Sequence, residues 1–125
     1  MTDHTHDLER VFSHRAFIPF VTCGDPDIET TEGLVRAMAE AGADLIELGI
    51  PFSDPIAEGP VIQGADVRAL SSGVTTDDIF DMAERVRADL DVPMLVMTYI
   101  NPVFVYGPDT VSYTHLRAHE TTLHL

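Results

Sequence analysis

Apolar and polar positions along this chain follow two rhythms. Short apolar runs at Phe17–Thr22, Asp44–Leu48 and Met94–Thr98 are closed by turn residues and too short for helices. They predict strands of the buried, parallel-sheet kind. Between them, apolar residues recur every three or four positions. Leu34, Val35, Met38 and Ala41 predict the buried stripe of a helix over Ile28–Ala41. Asp27, after the Gly24-Asp25-Pro26 turn, would cap its start and Gly42 would end it. Ile62, Ala65, Ala69 and Leu70 predict a second helix over Val61–Leu70, broken by Ser71-Ser72-Gly73. Ile79, Phe80, Ala83, Val86 and Leu90 predict a third over Asp77–Leu90, capped by Thr75 or Thr76, with Asp77 and Asp78 at its positive end. A short helix over Leu8–Arg15, with Leu8, Val11 and Phe12 on one face, precedes them. Pro19 argues against a central position for the first strand, since proline cannot donate to a ladder.

Strand, helix, strand, two helices, strand is the order of an α/β parallel sheet with right-handed crossovers. A complete (β/α)8 barrel takes about 250 residues, and this sequence has 125 with three predicted strands. Periodicity alone therefore admits two architectures. One is the N-terminal part of a TIM barrel, truncated after about three strands. The other is a small flavodoxin-like sheet.

Composition narrows the partners. The formal charge is −14, with 21 acidic residues against 7 basic ones, so polyanionic nucleic acid would be repelled. All the basic residues are arginine, which, with acidic residues spread over the helix faces, fits a protein working at high salt. No apolar run is long enough for a membrane span, and the polar, acidic N-terminus carries no signal-peptide pattern. The single cysteine, Cys23, fits a reducing cytoplasm and excludes an internal disulfide framework. Residues 110–125 break the pattern: residues 1–109 hold 20 acidic and 6 basic residues, whereas the tail has only Glu120 and Arg117, with His115, His119 and His124. The chain is thus expected to divide into a domain over 1–109 and an unrelated tail over 110–125. The tail stretch Ser112–Thr121 reads like translated sequencing adapter. His115 and His119 stand four apart, as metal ligands on a helix can, but no catalytic glutamate follows His115, so no metal is expected. His4 and His6 belong to a polar, frayed terminus.

The chemistry concentrates between Asp44 and Gln63. Glu47 interrupts the second apolar run near its C-terminal end, where α/β folds place ligands. A carboxylate buried there must be paired or must shift its pKa, so Glu47 is either a structural acid with a local partner or a functional one. A loop follows with Pro51, Pro55, Pro60, Gly49, Gly59 and two more carboxylates, Asp54 and Glu58. Two carboxylates in different surroundings can divide acid and base roles. Aromatic Phe20 and Tyr99 could wall a flat apolar ligand or could be core residues.

The run Glu47-Leu48-Gly49-Ile50-Pro51-Phe52-Ser53-Asp54-Pro55 resembles the signature of the tryptophan synthase alpha subunit family. The resemblance extends through Phe17–Pro26, Gly73-Val74-Thr75 and Met97–Pro102, and covers about residues 8–109. It implies a TIM barrel and a lyase of tryptophan biosynthesis that cleaves indole-3-glycerol phosphate to indole and glyceraldehyde 3-phosphate. It implies catalytic roles for Glu47 and Glu58, and an indole pocket lined by Phe20 and Tyr99. Pro51, Phe52, Asp54 and Asn101 match loop positions that meet a beta subunit in an alpha2beta2 heterotetramer. No cofactor is implied for this chain, since pyridoxal phosphate belongs to the beta subunit. At Ala57-Glu58-Gly59-Pro60 the family usually has aspartate, so the acid here stands on a longer arm. Loops after strands seven and eight usually hold the phosphate in such barrels, and three strands do not supply them. Little or no activity is therefore expected of the 125-residue chain, and poor folding is expected because its third strand is left with an open edge. The rival readings are a non-catalytic fragment that binds the beta subunit and another phosphate-handling barrel lyase or isomerase.

Overall fold

A computed structural model describes residues 5–55, 57–99 and 107. Seven elements follow one another: α1 (Thr5–Val11), β1 (Phe20–Thr22), α2 (Ile28–Glu40), β2 (Ile46–Gly49), α3 (Pro60–Ser71), α4 (Thr76–Asp89) and β3 (Met94–Met97). The predicted order is present, with α1 displaced toward the N-terminus and the strands shorter than their apolar runs. Pro19 explains the late start of β1. Its carbonyl accepts from the Glu47 N–H at 2.9 Å and the Phe17 carbonyl accepts from Asp44 N–H at 2.9 Å. Pro19 itself has no N–H to return.

The helix starts are built from side chains on the orphan N–H groups. Asp27 accepts from the Thr30 N–H at 2.7 Å. At α4, Thr75 accepts from the Asp78 N–H at 3.2 Å while the Asp78 carboxylate accepts from the Thr75 N–H at 2.9 Å, a reciprocal capping box. Gly42 leaves α2 with φ at 98°, the left-handed conformation that glycine adopts without a Cβ clash.

All pairings are parallel, in the order β1-β2-β3. This order decides between the two architectures. A flavodoxin-like sheet places its first strand between the second and third. Here β2 lies in the middle, as successive barrel strands do. Ile46 and Leu48 are fully buried and cluster with Val35 of α2 and Ile79, Met82 and Val86 of α4. One face of the sheet is thus covered by helices. By the alternation of a strand, Glu47 and Gly49 point to the other face.

Two stripes differ from expectation. On α2 the buried residues are Thr31 and Val35, while Leu34 is 44% exposed and Ala41 is the C-cap. Thr31 wins the inward position because its hydroxyl is fully used: it accepts from the Gly24 N–H at 2.9 Å and donates to the Asp27 carbonyl at 3.0 Å. On α3, Leu70 is 39% exposed, and Asp66 is buried with Ala65 and Ala69.

Helices α2 and α4 are joined by ions as well as by apolar contact. Glu32 meets Arg36 at 3.1 Å and Arg85 at 2.9 Å, and Arg36 reaches Asp89 at 2.7 Å. Partial burial raises the Glu32 carboxyl, but the two guanidinium groups outweigh it and hold its pKa below the ordinary 4.5. A depressed folded value means that this contribution is complete above the ordinary carboxylate range and disappears as pH falls through the folded value. Glu32→Gln is therefore expected to flatten the acid limb of the stability–pH curve, followed by urea midpoints from pH 7 to pH 3. Its cost at neutral pH should be at most about 1 kcal/mol. An unchanged acid limb would refute the network's role.

Candidate active site

The face of the sheet turned away from α2 and α4 carries the site. Register places Phe20, Glu47 and Leu95 side by side, and Thr22, Gly49 and Met97 in the next row. Above this face, at the C-terminal ends of β2 and β3, lies a cavity of about 460 Å³. Phe20, Glu47, Glu58, Ile62, Asp66 and Tyr99 contribute to its wall. The cavity has room for a small aromatic ligand, whose usual sites begin near 300 Å³. Gly49 keeps its floor open: a Cβ there would come within 2.5 Å of the Phe20 ring.

Glu47 is half-buried rather than sealed in the core. The apolar run around it suggested full burial, but the strand's alternation sends Ile46 and Leu48 to the helices and Glu47 to the cavity. Glu58 arrives from the loop between β2 and α3. The Tyr99 hydroxyl donates to its Oε2 and accepts from the Ala57 N–H at 3.0 Å. The hydrogen bond to Glu58, then burial, raise the Tyr99 phenol above its ordinary 10.0, so Tyr99 stays a neutral donor at physiological pH. The Phe52 ring packs against Tyr99 with centroids 4.9 Å apart and planes inclined by 30°. Gln63 of α3 donates to the carbonyls of Glu58 at 2.7 Å and Pro55 at 3.2 Å.

Of the residues predicted from sequence, Glu47, Glu58, Phe20 and Tyr99 converge on one cavity. Pro51 is buried and Phe52 half-buried in the loop, while Asp54 is exposed and outside the cavity wall. Asn101 and residues 110–125 lie outside the described residues. Two polar residues were missed, Gln63 and Asp66. The available signal was an aspartate on the apolar side of a helix, between Ala65 and Ala69.

Two carboxylates over an apolar floor, on a sheet of successive parallel strands, is the arrangement against which known proteins can be compared. The tryptophan synthase alpha chain family model matches residues 9–123. The chain belongs to this family. The tryptophan synthase alpha chain of Lacticaseibacillus casei is 54% identical over 97 residues, covering 78% of this chain and 36% of that protein. That of Natronomonas pharaonis is 50% identical over 101 residues, covering 81% and 36%. Among solved structures, tryptophan synthase subunit alpha from Legionella pneumophila superposes with a TM-score of 0.85 at 40% identity, covering 92% of this chain and 45% of that one. Ligand-free tryptophan synthase from M. tuberculosis gives 0.88 at 30% identity, covering 98% and 50%. The chain thus spans about 36% of the length of these curated relatives. The α/β unit described above is the N-terminal part of a tryptophan synthase alpha TIM barrel. Among the described residues no helix is long and apolar enough to cross a membrane, and no three His, Cys, Asp or Glu side chains converge to hold a metal ion.

Proposed function

We propose that this chain carries the acid–base half of a lyase site that cleaves indole-3-glycerol phosphate to indole and glyceraldehyde 3-phosphate. The observation that carries this reading is that Glu47 and Glu58, from different elements, line a single cavity floored by Phe20 and Gly49. Carbon–carbon cleavage here needs a proton on the indole ring carbon that bears the side chain. Glu47, on the rigid central strand, delivers it. The adjacent hydroxyl of the glycerol chain must then lose its proton as its carbon becomes the aldehyde. The carboxylate formed at Glu47 takes that proton. The electrons of the broken bond return to the ring, so indole leaves and Glu47 ends as it began. Glu58, held by Tyr99, accepts the indole N–H and stabilises the charge that develops on that nitrogen. Phe20 and Tyr99 supply apolar walls for the ring. This chemistry uses side chains alone and asks no cofactor of this chain.

The longer arm of Glu58 fits the same role because Tyr99 and Ala57 fix where it ends. Pro51, Phe52, Asp54 and Asn101 are assigned to contact with a beta subunit in a cytoplasmic alpha2beta2 assembly, where pyridoxal phosphate is that partner's.

The cavity wall among the described residues has three carboxylates and no cation, so it offers the substrate phosphate no attraction. The 125-residue chain is therefore expected to release indole at least about a hundredfold more slowly than a complete alpha chain, as misplaced substrate does. The decisive experiment is a chimera in which residues 9–99 replace the matching part of the Natronomonas pharaonis alpha chain. Indole release from indole-3-glycerol phosphate by the chimera supports the reading. A folded chimera without it sinks the lyase assignment.

A further inference from the structure

One acid on the cavity wall has no task in the chemistry above. Asp66 of α3 is only 6% exposed and lines the cavity together with Glu47 and Glu58. The one cation of α3, Arg68, is engaged elsewhere: its guanidinium donates to both carboxylate oxygens of Asp25, at 2.9 and 3.0 Å. Among the described residues no ion pair reaches the Asp66 carboxylate, and none that lines the cavity is a cation. An ionised carboxylate so placed lacks the counter-charge that burial ordinarily demands. Burial, with the charge of Glu58, raises the Asp66 carboxyl above its ordinary 3.8 against the pull of the Phe52 N–H, as befits an acid short of positive charge. The rest of the wall suits a ring. Phe20 and Tyr99 supply aromatic surface, Ile62 and Met97 apolar surface, and a cation beside aromatic rings gains a further attraction from them.

We propose that the cavity is also a binding site for a small aromatic amine: the flat ring lies on the floor of Phe20 and Gly49, and the protonated amine is held by Asp66, with Glu47 and Glu58 on the same wall. This goes beyond the lyase reading, whose substrate is an anion, and it needs the cavity but not turnover. An ammonium group brings three donors to a wall whose charged groups are all acceptors. A neutral ligand of the same shape leaves Asp66 without a partner. An anionic one meets only like charge. The cavity thus ranks ligands of one shape by their charge, amine first and acid last. The formal charge of −14 draws any cation toward the surface, but it selects neither for a ring nor for position 66.

The test compares three indoles of similar shape at neutral pH: tryptamine, whose amine is protonated as a lysine's is, tryptophol, which is neutral, and indole-3-acetate, an anion. The chain contains no tryptophan, so the fluorescence anisotropy of the ligand's own indole reports binding to the 125-residue chain. Titration calorimetry on the chimera gives the same comparison in a complete barrel. Tryptamine should bind about tenfold more tightly than tryptophol, the worth of one hydrogen bond to a charged group, and indole-3-acetate more weakly than both. Asp66→Asn keeps the size and loses the charge. In it the preference for tryptamine should shrink to about twofold, the share left to the more exposed Glu47 and Glu58. Equal binding of tryptamine and tryptophol overturns the proposal, as does binding of neither by a chain or chimera that circular dichroism shows to be folded. A preference undiminished in Asp66→Asn overturns it too, since the general acidity of the chain would then account for it. Turnover enters none of these readouts. A chimera that binds tryptamine through Asp66 but releases no indole ends the lyase reading alone, and one that releases indole without the preference ends this proposal alone.

Discussion

Glu47→Gln is expected to lower indole release by the chimera about 10²- to 10⁴-fold, the range that general acid–base groups supply. The amide has nearly the same volume and can still hydrogen-bond, so the strand and cavity should survive. What it cannot do is give a proton to a ring carbon and take one from a hydroxyl. The loss should therefore fall on kcat, with KM changed little, because Glu47 makes its essential interaction in the transition state. Its placement supports so large an effect. Glu47 is in the middle strand, with Phe20 and Leu95 beside it in register, and its backbone N–H is fixed to the Pro19 carbonyl at 2.9 Å. Few positions are held more firmly. Steady-state rates for the two chimeras, with circular dichroism to confirm equal folding, measure the effect. A Glu47→Gln chimera within threefold of its parent would show that the proton travels by another group.

The elements that could be read from sequence were those whose pattern has one dominant cause. The run around Leu45 to Leu48 is apolar because β2 is central, and the glutamate inside it stood out because an ionised carboxylate there needs a partner or a task. The turn at Gly24 to Asp27 and the box of Thr75 and Asp78 were visible because capping chemistry is local. Burial decided by distant partners was not visible. Thr31 displaced Leu34 from the inner stripe of α2 because the Gly24 N–H and Asp27 carbonyl, brought there by the turn, satisfy its hydroxyl. Asp66 stood between Ala65 and Ala69 on the apolar side of α3, but only the assembled cavity showed it buried there. The strand order also had to be observed: βαβ alternation is common to barrels and doubly wound sheets, and only the middle place of β2 separates them. The family resemblance named Glu47, Glu58, Phe20 and Tyr99, which line one cavity, but not the hydrogen bonds by which Tyr99 and Gln63 place Glu58.

Leu48→Ala tests whether the helix-covered face holds this unit together, and it should cost about 2–5 kcal/mol, the range for a leucine removed from a packed core. Leu48 is 0% exposed and shares its cluster with Ile46, Val35, Ile79, Met82 and Val86. It lies between β1 and β3, opposite Val21 and Val96, so neither neighbouring strand can close far into the space left behind. Small domains have roughly 5–15 kcal/mol in all, and one change of this size takes a large share. Leu34→Ala on α2 is the matched control. Its side chain is of the same size but 44% exposed, and its loss should stay near 0.5 kcal/mol. Urea unfolding followed by far-ultraviolet circular dichroism compares the two at equal m-value. If both variants lost the same small amount, Leu48 would not be packed as described. Its neighbour Glu47 would then have no rigid strand from which to act.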